Sequence, residues 1–210
     1  MLLKNYYWYF QSALSSKFCD DLIDYAKSKK QDLALTGGLT AKQESGEKLT
    51  KEDLLDLKKK RYSNITWLND AWIYKEIHPF VHEANRNAGW NFQWDHSESC
   101  QFTKYSKGQH YHWHSDSFPE EFNYTDLNFK GKIRKLSVTC SLSDPKKYKG
   151  GELEFQFRDT EDANATRVCK EILPKGSIVV FPSHVWHRVK PVTKGTRYSL
   201  VMWNIGYPFK

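Results

Sequence analysis

Apolar residues in the first part of the chain recur at helical spacing. After Ser15 or Ser16, either of which can cap a helix, Phe18, Leu22, Ile23 and Tyr25 fall on one face and predict a helix running to about Lys30. Trp72, Ile73, Ile77, Phe80, Val81 and Ala84 predict another from about Asp70 to Ala88, with Gly89 as its stop and Pro79 as an interior kink. Between them, "LTKEDLLDLKKK" reads as a short helix, while the Gly/Thr-rich stretch 32–45 reads as a flexible loop.

After Trp90 the period shortens to two. Strand-like runs lie near 99–105, 110–117, 133–143, 151–158, 167–173, 176–182, 185–190 and 197–204. In "GELEFQFR", Leu153, Phe155 and Phe157 alternate with Glu152, Glu154 and Gln156; "GSIVVFP" has the continuous apolar character of a central strand. Eight such runs predict a double-sheet jelly roll. The expected fold is α+β: a double-stranded β-helix with N-terminal helices packed on one sheet. One domain is expected over 1–210, mainly helical over 1–95 and jelly roll over 96–206.

Composition narrows the class. The chain has 210 residues, 39% hydrophobic and 15% aromatic, enough to bury a core without staples. Cys19, Cys100, Cys140 and Cys169 stand far apart, which argues against a zinc knuckle or disulfide framework and suggests a reducing, cytoplasmic setting. No window resembles a secretory signal or membrane span. The net charge is +7, with lysines clustered at 27–30, 58–61, 130–135 and 146–149. Spread over loops and helix ends, such clusters read as solvated surface, so a nucleic-acid partner is not expected. Trp113, Trp186 and Trp203 read as core, and Gly150-Gly151 as a tight turn.

The stretch "QHYHWHSD" carries candidate chemistry. Strand alternation would place His110, His112, His114 and Asp116 on one face and Tyr111 on the other. A non-haem Fe(II) centre of two histidines and one carboxylate needs three ligands on one octahedral face; only His114 and Asp116 have the H-x-D spacing, so a third must come from a distant strand. For an isolated H-x-D, an exposed polar strand face is the better explanation. Downstream, "GSIVVFPSHVWHRVKPVTKGTRYSLVMW" offers His184 and His187, then Arg197 ten residues after the latter. A buried arginine there suits a carboxylate ligand, because its guanidinium grips both oxygens.

Together "YSKGQHYHWHSD" (105–116), "LSVTCSLSDPKKYKGGELEF" (136–155) and "FPSHVWHRVKPVTKGTRYSLVMW" (181–203) resemble the 2-oxoglutarate/Fe(II)-dependent oxygenases of the prolyl 4-hydroxylase-like superfamily, near the PKHD-type hydroxylases of bacteria and phages. "RYSNITWLND" at 61–70 resembles the segment that leads into that family's N-terminal helices. The resemblance implies His114, Asp116 and His187 as iron ligands, with the interval to Arg197 favouring His187 over His184. It implies that Arg197 pairs with the far carboxylate of 2-oxoglutarate, and that Ser199 and Tyr105 add hydrogen bonds. His110 and His112 match no ligand and read as polar neighbours.

The implied cofactors are Fe(II), 2-oxoglutarate and dioxygen, with ascorbate as an accessory reductant; succinate and CO2 would be released as a C–H bond is hydroxylated. The expected substrate is a peptidyl or free amino acid, proline ahead of lysine. Trp203 stands where the nucleobase-demethylase branch carries a second arginine, which counts against a nucleobase-directed oxygenase. A non-catalytic jelly-roll scaffold and a zinc-binding cupin are the competing classes. Segments 32–60 and 117–132 have the length of substrate-covering loops.

Overall fold

The computed structural model describes residues 3–117, 120–157 and 165–209. The chain opens with β1 (Trp8–Phe10), α1 (Ser16–Lys27), β2 (Asp32–Leu33), α2 (Gly37–Glu44), α3 (Lys51–Lys60), β3 (Arg61–Tyr62), β4 (Asn64–Leu68) and α4 (Ala71–Asn87). There follow β5 (His96–Ser97), β6 (Cys100–Tyr105), β7 (His110–His114), β8 (Ile133–Ser141), β9 (Tyr148–Gly150) and β10 (Leu153–Gln156). The chain closes with β11 (Thr166–Val168), β12 (Ile178–Pro182), β13 (Trp186–Val189), β14 (Val192–Gly195) and β15 (Arg197–Gly206).

Two antiparallel sheets face each other. The larger runs β1-β12-β8-β15-β6-β4-β2, with β5 added on β15; the smaller runs β11-β10-β13-β7-β3, and β14-β9 forms a separate pair. This is the jelly roll that the period-two runs predict. The helices pack on the larger sheet: Cys19, Leu22, Ile23 and Ala26 of α1 join Ile73, Ile77, Val81 and Ala84 of α4 against Phe102, Val138, Val180 and Leu200. Each large apolar side chain buried there stabilises by roughly 1.5–3 kcal/mol. A second core, between the sheets, contains Tyr105, Leu153, Phe155, Phe181, Val189 and Val192.

Local signals set the helices. Ser15 caps α1 by accepting from Phe18 N–H at 3.0 Å, and Thr50 and Asp53 form a reciprocal capping box on α3. Pro79 lies on the exposed side of α4, clear of the buried stripe, and Gly89, at φ +75°, ends the helix.

Several expectations are corrected. The stretch 32–45 holds β2 and α2 rather than a loop, and "RYSNITWLND" supplies β3 and β4. β1 pairs with β12 through Trp8↔Val180, so the N-terminal part contributes strands to the jelly roll as well as helices. α1 stops at Lys27, before Lys30. The run 167–173 divides into β11 and a 3-10 turn at Lys170–Ile172. β10 ends at Gln156, and Arg158 of the expected strand lies outside the described residues, as do Phe118 and Pro119. All four cysteines are buried and unpaired. Among the described residues no helix is long and apolar enough to cross a membrane.

Candidate metal centre and adjoining cleft

The smaller sheet builds the site through a bulge. His187 of β13 stands opposite His114 of β7, but Val189, two residues on, stands opposite Tyr111, three residues back. The extra residue reverses the alternation, so Tyr111 joins His114 on the inner face. Their rings stack at 3.5 Å between centroids. The single-face reading of the histidine row is therefore wrong for its first half. His112 is exposed, and the His110 ring lies 3.3 Å from the carbonyl of Lys59.

His114, Asp116 and His187 converge. One donor atom from each can be chosen so that all lie within 4.8 Å of one another. His114 Nε2 is 3.7 Å from Asp116 Oδ1, and His187 Nε2 is 3.6 Å from Oδ2. Each histidine directs Nδ1 at a carbonyl two residues earlier, His112 O at 2.8 Å and Val185 O at 3.0 Å. Donation from Nδ1 fixes the tautomer that leaves both Nε2 lone pairs facing the carboxylate, the arrangement a divalent cation requires. His184 is exposed in the turn before β13, and the ring that reaches Asp116 is that of His187.

Asp116 lies beyond β7, which ends at His114 rather than 117. The turn after β12 and strand β8 hold it: its N–H donates to Ser183 O at 2.9 Å, and its Oδ2 accepts from Ser137 Oγ at 2.7 Å. Burial would raise its pKa, but His187, His114, Arg134 and the Ser137 hydrogen bond outweigh burial and hold it at about 2. Burial, reinforced by His187, drives His114 down to about 3. A His114 imidazole held neutral and the His187 ring, beside an ionised carboxylate, form a donor set that fits Fe(II).

Arg197 sits deeper, 2% exposed. Its Nη1 is 3.3 Å from Ser199 Oγ, and its guanidinium carbon lies 5.5 Å from the Tyr105 ring centroid. No carboxylate among the described residues pairs with it. A buried guanidinium without a counter-charge is costly unless an anion arrives from outside. Gly151 serves this packing: at φ +69° its Cβ would lie 3.0 Å from Arg197 Cδ. The glycine pair is thus a tight turn with a steric reason.

A cavity of about 690 Å³ opens beside Asp116. Tyr111, Arg61, Arg134, Trp203 and Glu98 line it, as do Leu35, Thr40 and Gln43, with Phe122 and Tyr124. The latter five come from segments 32–60 and 117–132, the two stretches whose lengths suggest covering loops. Arg134 grips Glu98 through Nε at 2.5 Å and Nη2 at 2.7 Å, and lies 4.0 Å from the Trp203 ring centroid. Arg61 lies 4.5 Å from the Tyr111 ring centroid and donates to Gln101 Oε1 at 2.9 Å. Trp203 Nε1 and Arg61 Nε are buried donors with no acceptor among the described residues. Trp203 therefore borders the cleft as well as the core. Sequence reasoning missed Arg61, Arg134 and Glu98, whose pairing across β3, β8 and the β5–β6 link is a tertiary property with no local signal.

Residues 100–204, which contain every one of these six candidate positions from Tyr105 to Ser199, match the family model described as the 2OG-Fe(II) oxygenase superfamily. The chain belongs to that superfamily. PKHD-type hydroxylases are among its relatives: that of Aliarcobacter butzleri is 38% identical over 104 residues, 49% of this chain and 41% of the relative. That of Prochlorococcus marinus is 39% identical over 106 residues, 50% and 41% respectively. The match thus spans about two-fifths of the relatives' length. Among solved structures, this superfamily member shares its fold with a viral collagen prolyl hydroxylase from Paramecium Bursaria Chlorella virus-1, with a TM-score of 0.62, 20% identity and 97% of each chain covered. It shares it also with a Trichoplax adhaerens prolyl hydroxylase solved with a hypoxia inducible factor peptide fragment, with a TM-score of 0.66, 15% identity, and 96% and 84% covered.

Proposed function

We propose that the chain is an Fe(II)- and 2-oxoglutarate-dependent hydroxylase of a peptidyl or free amino acid, proline ahead of lysine. The observation that carries this reading is the convergence of His114, Asp116 and His187 with both Nε2 atoms turned to the carboxylate. In it those three residues hold the metal. Arg197 receives the far carboxylate of the co-substrate, with Ser199 orienting the guanidinium and the Tyr105 phenol, its pKa raised by burial, available as a neutral donor.

Bound Fe(II) with 2-oxoglutarate and dioxygen supplies the oxidising power for a C–H bond, with succinate and CO2 released. The chain supplies position and dryness. Phe155 and Phe181 wall His187, with ring centroids at 6.3 and 4.8 Å. Tyr111 packs flat on His114 and keeps water from its open side. In the cleft, Tyr111, Arg61, Arg134 and Trp203 form the lining that a substrate would meet beside Asp116. The solved prolyl hydroxylases that share the fold lend proline its precedence, and one of them was solved with a peptide fragment. The chain over 1–210 acts as one catalytic unit in this reading, in a cytoplasmic setting.

Succinate formation tests it. Protein loaded anaerobically with Fe(II), then given 2-oxoglutarate, ascorbate and air, should convert the co-substrate in the presence of a proline- and lysine-containing peptide library. A product heavier by one oxygen is expected, and none from His114→Ala. Tight zinc with inert iron would instead support the cupin reading.

A further inference from the structure

The Tyr111 ring links a metal ligand to a buried cation. It lies flat on His114, 3.5 Å between centroids, and the guanidinium carbon of Arg61 lies 4.5 Å from the Tyr111 centroid. The ladder sets this contact. Arg61 of β3 stands directly opposite Tyr111 of β7, and the bulge that turns Tyr111 inward brings the arginine's partner onto the ligand.

Arg61 is 7% exposed, and no carboxylate among the described residues pairs with it. Its acceptors are neutral. Nη1 donates to Leu35 O at 3.2 Å and Nη2 to Gln101 Oε1 at 2.9 Å, while Nε is enclosed without an acceptor among the described residues. Gln101 in turn donates to Thr103 Oγ1 at 3.1 Å, which fixes its amide with the oxygen towards the arginine. Arg61 thus differs from Arg134, whose charge Glu98 cancels. With two nitrogens committed to neutral acceptors and the third enclosed, the guanidinium is poorly placed to grip an incoming anion. Its charge stays uncancelled, and in a low-dielectric surrounding it acts on what lies beside it. Burial and His187 lead the causes that press His114 below its ordinary pKa, and Arg61 adds to them.

We infer that Arg61 guards the oxidation state of the metal: acting through Tyr111 and His114, it disfavours Fe(III) and holds the bound iron as Fe(II). The inference rests on the reading of His114, Asp116 and His187 as an iron site. Its sign follows from charge. A fixed cation opposes positive charge gathered at the three ligands, and it opposes Fe(III) by one charge more than Fe(II). It also weakens His114 as a donor, which the more highly charged ion needs more. Groups around the ligands of a metal tune its redox potential in this way. A centre that takes up 2-oxoglutarate and dioxygen as Fe(II) gains from this while it waits for substrate, because a lost electron removes it from the reaction. Arg61 is in this sense a positioning residue, not a ligand.

A redox titration of the iron-loaded full chain, read by the electron paramagnetic resonance of Fe(III), tests this without turnover. Arg61→Gln should raise the ratio of Fe(III) to Fe(II) affinity about tenfold, which lowers the one-electron potential by about 59 mV. Arg61→Lys keeps the charge and should hold that ratio within about threefold of wild type, whatever it does to Tm. Gln101→Glu leaves the arginine in place and sets a carboxylate against it. It should reproduce most of the Arg61→Gln shift with Tm equal or higher, which keeps the test decisive if Arg61→Gln folds poorly. An unchanged potential in Arg61→Gln or in Gln101→Glu, or the same shift in Arg61→Lys as in Arg61→Gln, would overturn the inference and leave the iron site standing. Wild type that takes up no iron in calorimetry would overturn both.

Discussion

Arg134 and Arg197 are buried cations of the same sheet, set in opposite surroundings. Arg134 is enclosed by its own counter-charge, the bidentate Glu98 carboxylate, with Trp203 over its face. Arg197, more deeply buried, has a hydroxyl and a tyrosine ring for company and no carboxylate among the described residues. A paired buried ion shapes a wall. An unpaired one is a standing cost that folding alone does not justify, and it marks where an external anion belongs. The difference separates the two halves of the site: a cleft beside Asp116 whose Arg134 is charge-paired within the fold, and a charged interior open to a carboxylate.

Breaking the unpaired side should give the largest effect. Arg197→Leu is expected to raise the 2-oxoglutarate requirement at least about 100-fold while leaving Tm equal or higher, because a buried uncompensated charge has gone; a steep drop in Tm would show that Arg197 is structural. On the paired side the signs reverse. Glu98→Ala strands Arg134 and should lower stability by about 2–3 kcal/mol, below the range for fully buried pairs because the side chains retain 13% and 14% exposure. Denaturant melts would measure it.

A smaller and graded effect is expected from pH. With its folded pKa near 3 and an ordinary value of 6.5 when unfolded, His114 binds more protons in the unfolded state. Its contribution to apo-protein stability is complete above about pH 6.5 and falls as pH drops towards 3. His114→Gln should flatten that part of a Tm–pH profile. At the bottom of the scale, His112→Ala should change stability by less than about 0.5 kcal/mol and leave iron affinity unaltered, since its side chain is exposed.

What the sequence made legible follows the same division. The jelly roll could be read because alternation in "GELEFQFR" and the apolar run "GSIVVFP" are local signals of strands with defined faces. His114, Asp116, His187 and Arg197 were recognisable through spacing and resemblance. Tyr111 was misplaced because the bulge that turns it inward is a two-strand property: it appears only when β7 is laid against β13. β3 and β4 were missed because "RYSNITWL" becomes strand by pairing with β6 and β7, and Arg61 and Arg134 because a buried charge has meaning only once its partner is known.

The central claim is that His114, Asp116 and His187, and not the other histidines of the same strands, form the metal centre. Anaerobic Fe(II) titration of wild type, His187→Ala and His184→Ala, followed by calorimetry, tests it most directly. One equivalent bound by wild type and by His184→Ala, with binding abolished in His187→Ala, is the expected result. Loss of iron in His184→Ala with retention in His187→Ala would contradict the account.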